Sequence, residues 1–253
     1  MLEAKICREL KRHKRRAPIA VAPFTYAGLL LALVICCFWH NVVIAQVSVS
    51  AHSSAVVEIK ASEEGFESVY NGHDFTGWAG PTNDYEIVDG AIQCRPHKGG
   101  TIYTVQEYGD FVVRLEIRMC KGGNNGLAIR YPGWGDTAYV GMCEIQVLDD
   151  HYEQATGEKI DPRQADGSAY GMVAAKRGYQ KPIGEWNFEQ VTVKGSKIKV
   201  ELNGTLILDC DLSTVKEFMA DHPHPGKDRT KGHFGFAGHN DPVAFRNIRI
   251  KRL

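Results

Sequence analysis

Short alternating segments joined by two-residue turns dominate this chain. Residues 188–194, 197–202 and 205–210 each alternate apolar and polar side chains, and the pairs Gly195-Ser196 and Asn203-Gly204 separate them. Glycine and asparagine accept the positive φ angles that tight hairpin turns require. The three segments are therefore predicted to form a three-stranded antiparallel meander.

A second hairpin and one long strand show the same pattern. Asp89-Gly90 separates residues 85–88 from 91–94, and residues 110–119 alternate throughout, with Phe111 at the start of the apolar face. Only residues 212–220 look helical, with Asp211 or Ser213 as the N-cap. Many strands, glycine-rich turns and almost no helix indicate an all-β sandwich or barrel. The long polar interruptions at 149–187 and 221–231 are expected to place a functional site at one rim.

The first 45 residues have the order of a secretory signal. Seven Lys and Arg residues precede an apolar run at 27–39, and Ala45 provides a small residue at a cleavage point. The run is shorter than the ~20 residues that span a bilayer, although an uncleaved membrane anchor is the alternative because residues 42–44 extend it. We predict export to the periplasm or the extracellular space. Residues 46–63 are predicted to be a linker, and residues 64–253 one domain.

Composition excludes some functions. The 253-residue chain has no net charge, but without residues 1–45 it carries a formal charge of −5, which gives no electrostatic case for binding nucleic acid. Four cysteines remain outside the signal, and they are either paired in disulfides or buried free thiols: Cys94, Cys120, Cys143 and Cys210. Because no phosphate loop or dinucleotide fingerprint is present, the chain is not expected to oxidise its own substrate.

Two segments combine strand-like alternation with an unusual polar face. In residues 126–131, alternation places Gly126, Ala128 and Arg130 on one face, and in residues 144–149 it places Glu144 and Gln146 on one face. Such a surface is a plausible floor for a polar ligand such as a sugar. The alternative, which spacing alone favours, is a solvated sheet face with an ordinary Arg–Glu pair.

Taken in order, several segments of the chain resemble the 3-keto-disaccharide hydrolase family. The marks of this resemblance are, in chain order, residues 65–78, 124–130, 144–149, 184–187 and 245–251. The resemblance implies a concanavalin A-like jelly-roll β-sandwich of two antiparallel sheets. It also implies cleavage of glycosides that are already oxidised at C3, by a 1,2-elimination followed by hydration. A separate sugar 3-oxidoreductase would have to supply the 3-keto substrate.

The implied reaction needs a base near C2, a donor or cation near the developing oxyanion and an acid for the leaving group. Glu144 is the leading candidate for the base or the acid. His239 has a reference pKa that suits proton transfer, unless it is simply a surface loop residue. Arg130 is a candidate for holding the enolate oxygen or a pair of hydroxyls, and Gln146 for hydrogen bonding to hydroxyls.

Five further residues are candidates for substrate binding. Glu116 and Arg118 are expected either to line the same surface or to belong to a solvated face of ion pairs. Asp149 would reach the rim of the site or, as spacing favours, cap the long loop. Tyr170 could stack on a sugar ring and Lys176 could contact a hydroxyl or the ketone.

No cofactor is predicted. His222 and His224 lack a third spaced ligand, so a divalent cation is allowed but unsupported. The predicted function is therefore an exported enzyme that cleaves 3-keto-glycosides. A non-catalytic carbohydrate-binding β-sandwich is the alternative, since the same scaffold often only binds sugars, and a structural module of an envelope assembly is a third.

Overall fold

The computed structural model describes residues 63–253. The predicted signal or anchor, and the predicted linker except for residue 63, lie outside the described residues. Thirteen strands follow one another in the described part: β1 (Glu67–Ser68), β2 (Trp78–Ala79), β3 (Tyr85–Val88), β4 (Ala91–Cys94), β5 (Gly99–Tyr108), β6 (Phe111–Arg118), β7 (Asn124–Tyr131), β8 (Cys143–Leu148), β9 (Trp186–Lys194), β10 (Lys197–Leu202), β11 (Thr205–Asp211), β12 (Gly232–His239) and β13 (Ala244–Arg252).

The strands form two antiparallel sheets. The larger sheet has the order β11-β10-β9-β6-β13-β4-β3, with β1 paired to β13, and the smaller sheet has the order β2-β5-β12-β7-β8. Neighbours in the sheets are mostly distant in sequence, as the crossing connections of a jelly roll require. The fold is the predicted all-β, concanavalin A-like jelly-roll sandwich.

Local turn chemistry accounts for the hairpins. Asp89-Gly90, Gly195-Ser196 and Asn203-Gly204 join β3 to β4, β9 to β10 and β10 to β11, and the last two hairpins share β10. Asp89 and Asn203 both adopt positive φ, which their short polar side chains tolerate. The predicted meander and hairpins are therefore confirmed.

Aromatic side chains join the two sheets. The ring of Phe236 on β12 stacks on Phe245 of β13 with centroids 3.9 Å apart, and Trp78 covers its other face at 5.2 Å. The predicted apolar face of β6, from Phe111 to Ile117, is buried in this core. Burying each large apolar side chain contributes roughly 1.5–3 kcal/mol before the loss of conformational entropy is subtracted.

Helical structure is brief in residues 63–253. The α-helices are α1 (Thr137–Val140) and α2 (Tyr152–Thr156). The predicted helix at 212–220 is wrong: two 3-10 turns, Leu212–Thr214 and Met219–Asp221, stand there, because Val215 already takes an extended conformation. The predicted cap is present, since Asp211 accepts a hydrogen bond from the backbone N–H of Ser213 at 3.0 Å.

Two further properties concern the described residues. None of their helices is long and apolar enough to cross a membrane. Cys94, Cys120, Cys143 and Cys210 are free thiols, which is the second of the two alternatives raised by the sequence. Burial raises the pKa of the Cys94 and Cys120 thiols to about 11 and that of Cys210 to about 12, so all three are protonated and unreactive at neutral pH.

Candidate functional site

A polar cavity of about 270 Å³ lies on the outer face of the smaller sheet. Strands β7, β8 and β12 supply its floor, while α1 and the long connection between β8 and β9 supply its walls. The polar residues that line it are Asn124, Asp136, Tyr139, Glu144, Gln146, Tyr152, Glu158, Lys159, Gln164, Tyr170 and His239.

Glu144 is the most unusual group in this cavity. Its side chain is buried, and its carboxyl group has no hydrogen-bond or ion-pair partner among residues 63–253. Burial, with a smaller contribution from the nearby negative charge of Asp136, raises the pKa of Glu144 to about 8. Glu144 is therefore mainly protonated at neutral pH and able to donate a proton.

Gly126 provides the space that Glu144 occupies. Alternation places both on the outer face, and a Cβ atom at position 126 would overlap the carboxyl end of the Glu144 side chain. The φ angle of Gly126 is not positive, so its role lies in the missing side chain and not in backbone freedom. The glycine is required for the position of the carboxyl group.

Gln146 follows Glu144 on the same face and has a spare acceptor. Its Nε2 donates to Oδ1 of Asn124 at 2.8 Å, which fixes the orientation of the amide. The other amide atom, Oε1, is buried and has no hydrogen-bond partner among the described residues. A buried acceptor without a donor is costly unless a ligand or water supplies one, so this atom is suited to accept a hydrogen bond from a sugar hydroxyl.

His239 lies at the end of β12, at the exposed side of the cavity. The residue is exposed, but the protein atoms around it desolvate the imidazolium form and lower the pKa of His239 below its usual value, and the charges of Asp136 and Asp241 oppose this only partly. The ring is therefore neutral at pH 7 and able to accept a proton. A donor and an acceptor of protons thus share one cavity.

Two walls of the cavity hold aromatic rings. Asp136 caps α1 by accepting a hydrogen bond from the backbone N–H of Ala138 at 3.0 Å, and Tyr139 on this helix lines the cavity. The Tyr139 ring meets Tyr170 edge to face at 6.3 Å. The backbone N–H of Tyr170 in turn donates to the carbonyl of Glu144 at 2.9 Å, which ties this wall to the floor.

Four of the residues predicted for the site line this one cavity: Glu144, Gln146, Tyr170 and His239. The sequence did not predict the other polar residues of the cavity, above all Asp136, Tyr139 and Lys159. Asp136 has an N-cap signal in the sequence, because an acidic residue precedes a short helical stretch. Nothing in the local sequence shows that this helix packs against β8, or that Lys159 on the long connection lines the same cavity.

Arg130 does not share the cavity, and the prediction that it converges with Glu144 is wrong. Its φ angle is positive and the register between β7 and β12 shifts beside it, so a bulge turns the side chain away from the face of Gly126 and Ala128. The guanidinium is buried. It donates to Gly109 O, Gly195 O, Arg229 O and the Asp110 carboxylate at 2.8–2.9 Å.

This position predicts a stabilising role for Arg130. In Arg130→Lys, one ammonium group cannot reach all four acceptors, so we expect the free energy of unfolding to fall by about 3 kcal/mol. Denaturant unfolding measures this loss, and activity per folded molecule should change less than about twofold. Arg118→Lys, on a half-buried surface, is the control. Unchanged stability with lost activity would contradict this role.

Four other predicted residues also lie outside the cavity. Glu116 and Arg118 are on β6 of the larger sheet, where Glu116 accepts a hydrogen bond from Arg246 at 2.7 Å and Arg118 lies over the Trp186 ring. Alternation had correctly placed them on a polar face, but that face belongs to the other side of the sandwich. Glu116 therefore belongs to an ion pair on the surface of the larger sheet, which is the alternative raised by the sequence, and neither residue lines the cavity.

Asp149 and Lys176 are likewise separate from the cavity. Asp149 is buried and accepts hydrogen bonds from the backbone N–H groups of Gly122 at 2.8 Å and His151 at 2.9 Å, which is the loop-capping alternative. Lys176 is exposed, and its backbone N–H pairs with Ile207 on β11. Neither residue is in a position to contact a ligand in the cavity.

A larger open cleft of about 780 Å³ lies between β1 and the end of β5. Its acid, Glu107, is already paired with Lys231 at 2.9 Å, and this hydrogen bond lowers the pKa of Glu107. The cleft therefore lacks a protonated acid, and its size alone does not make it the reactive site. Among residues 63–253, no group of three or more His, Cys, Asp or Glu side chains is arranged to hold a metal ion.

Comparison with known proteins identifies the family of the chain. A family model described as the 3-keto-alpha-glucoside-1,2-lyase-like domain matches residues 65–251. A curated relative, the 3-keto-disaccharide hydrolase of Bacteroides thetaiotaomicron, is 26% identical over 246 residues, covering 81% of this chain and 84% of the relative.

Solved structures show the same fold. Two structures of candidate glycosyl hydrolases from Parabacteroides distasonis superpose with a TM-score of 0.65 each. They are 25% and 27% identical to this chain, and they cover 77% and 74% of it and 96% and 99% of their own chains. These names indicate a glycosyl hydrolase-like enzyme that acts on carbohydrates. Because the family model spans most of its length, the chain belongs to the family of 3-keto-alpha-glucoside-1,2-lyase-like domains.

Proposed function

We propose that this protein cleaves 3-keto-glycosides by removing the proton at C2, eliminating the substituent at C1 and hydrating the unsaturated product. One observation carries the proposal. A buried, protonated carboxyl group, Glu144, and a neutral imidazole, His239, line the same sugar-sized cavity. Two titratable groups whose pKa values are moved in opposite senses by their surroundings are typical of an acid and a base in one site.

His239 is proposed as the base. The ketone at C3 acidifies the C2 hydrogen, and the lowered pKa of His239 leaves its ring nitrogen free to accept that proton at neutral pH. The electrons of the C2–H bond form the enolate of the ketone. Asp136 and Asp241 lie close enough to stabilise the imidazolium that results, since both charges act to raise the pKa of His239.

Glu144 is proposed as the acid. Collapse of the enolate breaks the bond between C1 and the leaving oxygen, and that oxygen takes the proton of Glu144. In the second half of the reaction, Glu144 accepts a proton from the water that adds at C1, while His239 returns a proton to C2. The bonds and protons balance to a net hydrolysis, and no oxidant is consumed.

Lys159 is proposed to stabilise the oxyanion. Among the described residues that line the cavity, it carries the one permanent positive charge. This is the role that sequence reasoning gave to Arg130, which the bulge removes from the site. A cation beside a developing negative charge stabilises it, and Gln146 Oε1 is available to orient a neighbouring hydroxyl.

The proposed reaction also has consequences for the source of the substrate and for the compartment in which the protein acts. Cleavage needs a ketone that this chain is not expected to make, so a separate sugar 3-oxidoreductase is proposed to supply it. The N-terminal signal pattern supports the proposal that the reaction takes place after export. The names of the family and of the Bacteroides relative support the substrate class.

Incubation of the purified protein with a 3-keto-glucoside in deuterated water tests the mechanism. We expect cleavage with deuterium at C2 of the product, and a slower reaction when C2 of the substrate is deuterated. The matching glucoside without the ketone is the control and should not react. Cleavage of both substrates at equal rates would exclude the proposed elimination, and binding without cleavage would favour a carbohydrate-binding module.

A further inference from the structure

A pair of acidic residues, Asp166 and Glu189, lies buried outside the cavity. Glu189 on β9 is fully buried, and both of its carboxyl oxygens lack a hydrogen-bond partner among the described residues. It shares a small void with Asp166, which is 5% exposed, and the void has no room for a water molecule. Two carboxyl groups buried in one void cannot both ionise without a large cost.

The neighbours of this pair provide no compensating positive charge. The other residues that line the void are Ile117 and Met119 near β6, Leu202 on β10, Asn187 on β9 and Gln180. Asp149 and Asp150 are the nearby charged groups after β8, and both are acidic. Burial is the main cause that raises the pKa of Asp166, to about 7, and the pKa of Glu189 well above its usual value.

A cation does not fit this void. Asn187 Oδ1 accepts hydrogen bonds from Lys181 N at 2.7 Å and Asn203 Nδ2 at 2.8 Å, so the amide orientation is fixed and its Nδ2 donor is left without a partner. A donor group beside the two carboxyls opposes a metal ion. Protons are the simpler means of neutralising the pair.

Asp166 begins a segment that supports the site. Its Oδ1 accepts a hydrogen bond from the backbone N–H of Leu148 on β8 at 3.0 Å. The following residues, 167–170, which we call the edge segment, run beside β8: Gly167 N donates to Gln146 O, Gln146 N to Ser168 O and Tyr170 N to Glu144 O, at 2.8–2.9 Å. The edge segment therefore holds the strand that carries Glu144 and Gln146, and it places Tyr170 in the cavity wall.

We propose that Asp166 and Glu189 are positioning residues that form a proton-dependent latch, which keeps the edge segment on β8 only while the pair retains a proton. When both carboxyls ionise, mutual repulsion and the demand for hydration release the segment. Folding raises the pKa of both carboxyl groups. The contribution of the protonated pair to the stability of the fold is therefore present at low pH, and it is lost as the pH rises through about 7 and above. If the proposed function holds, release also weakens substrate binding.

Limited trypsin cleavage tests the latch without requiring activity. Arg163 and Lys176 flank the edge segment, and their cleavage rates are compared at pH about 6 and about 8.5, with cleavage at Lys199 on β10 as the internal reference. Relative to that reference, we expect cleavage at the flanking sites to rise about tenfold with pH in the wild type. Asp166→Asn with Glu189→Gln, which imitates the protonated pair, should show no such rise.

The controls separate a latch from a general loss of structure. Asp228→Asn, which removes an exposed carboxylate paired with Lys227 and leaves the reference site unchanged, should respond to pH as the wild type does. If the double variant fails to fold, either single substitution removes one of the two charges and should flatten the response. Equal responses in the wild type and the neutral variants would overturn the proposal. Protection of the wild type at high pH by calcium alone would also overturn it, since the pair would then be a cation site.

With an active preparation, the Michaelis constant supplies a second readout. We expect KM of the wild type to rise between neutral and alkaline pH while KM of the double variant stays level, because only the wild type loses the Tyr170 wall. A merely structural role of the pair would change stability in both pH ranges and leave this difference in KM absent. Failure of the proposed reaction would remove this readout but leave the proteolysis result intact.

Discussion

Glu144→Gln is expected to lower turnover of a 3-keto-glycoside by about 1,000-fold while changing the dissociation constant of the substrate less than about threefold. Glutamine occupies almost the same volume and keeps the hydrogen-bonding shape of a protonated carboxyl, but it has no proton to give to a leaving oxygen. General acid catalysis accounts for ~10²–10⁴ in rate, which sets the size of the loss. Steady-state rates and direct binding measurements on the same preparation separate the two effects.

The matched control is Glu116→Gln. Sequence reasoning considered both glutamates, yet Glu116 lies on the larger sheet with Arg246 and Asn247 as its partners. Its substitution should leave turnover within about twofold of the wild type. A carbohydrate-binding module would show no turnover in any of the three proteins, with binding retained. Full activity in Glu144→Gln would exclude this residue as the acid.

The dependence on pH follows from the same group. Because Glu144 must be protonated to act as the acid, turnover should fall as the pH rises through about 8. The raised pKa also means that folding is favoured by protonation, so the contribution of Glu144 to stability is complete below the unfolded pKa and is lost as the pH rises through the folded value. Glu144→Gln removes this ionisation and should be the more stable protein at alkaline pH.

Much of the fold follows from local sequence, because turn chemistry and alternation are local properties. Asp89-Gly90 and Asn203-Gly204 determine hairpins through the φ angles that their residues accept. Alternation likewise places Glu144 and Gln146 on one face, whatever the strand pairs with. The helix expected at 212–220 does not form, because an isolated helix of this length is marginal and Val215 already takes an extended conformation.

The site is less predictable, because it depends on which faces meet. Alternation shows that Glu116 and Arg118 share a polar face but not which sheet they belong to. Prediction from alternation also assumes an unbroken strand. The bulge at Arg130 reverses the direction of the side chain, and no residue type at this position predicts a bulge. Asp136 and Lys159 reach the cavity through connections whose path is determined only by the packed sandwich.

Gly126→Ala should lower turnover by about 100-fold in a protein that remains folded. The added methyl group overlaps the carboxyl end of Glu144 and not the backbone of a neighbouring strand, so the flexible side chain moves and the sheet remains. Moving a catalytic group by about 1 Å costs ~10²-fold in rate, and a carboxyl group pushed toward solvent should also recover a lower pKa. The pH at which activity falls should therefore shift downward together with the loss of rate.

Gly109→Ala is the matched control for this substitution. A Cβ at position 109 meets only the Thr230 carbonyl at an ordinary 3.6 Å, and Gly109 lies in the turn before β6, away from the cavity. Its rate should stay within about twofold of the wild type. A melting temperature of Gly126→Ala within a few degrees of the wild type shows that the fold survives. If Gly126→Ala then kept full turnover and an unshifted pH profile, the tight placement of the Glu144 carboxyl would not matter for the reaction, and the acid would have to be sought among the other groups of the cavity.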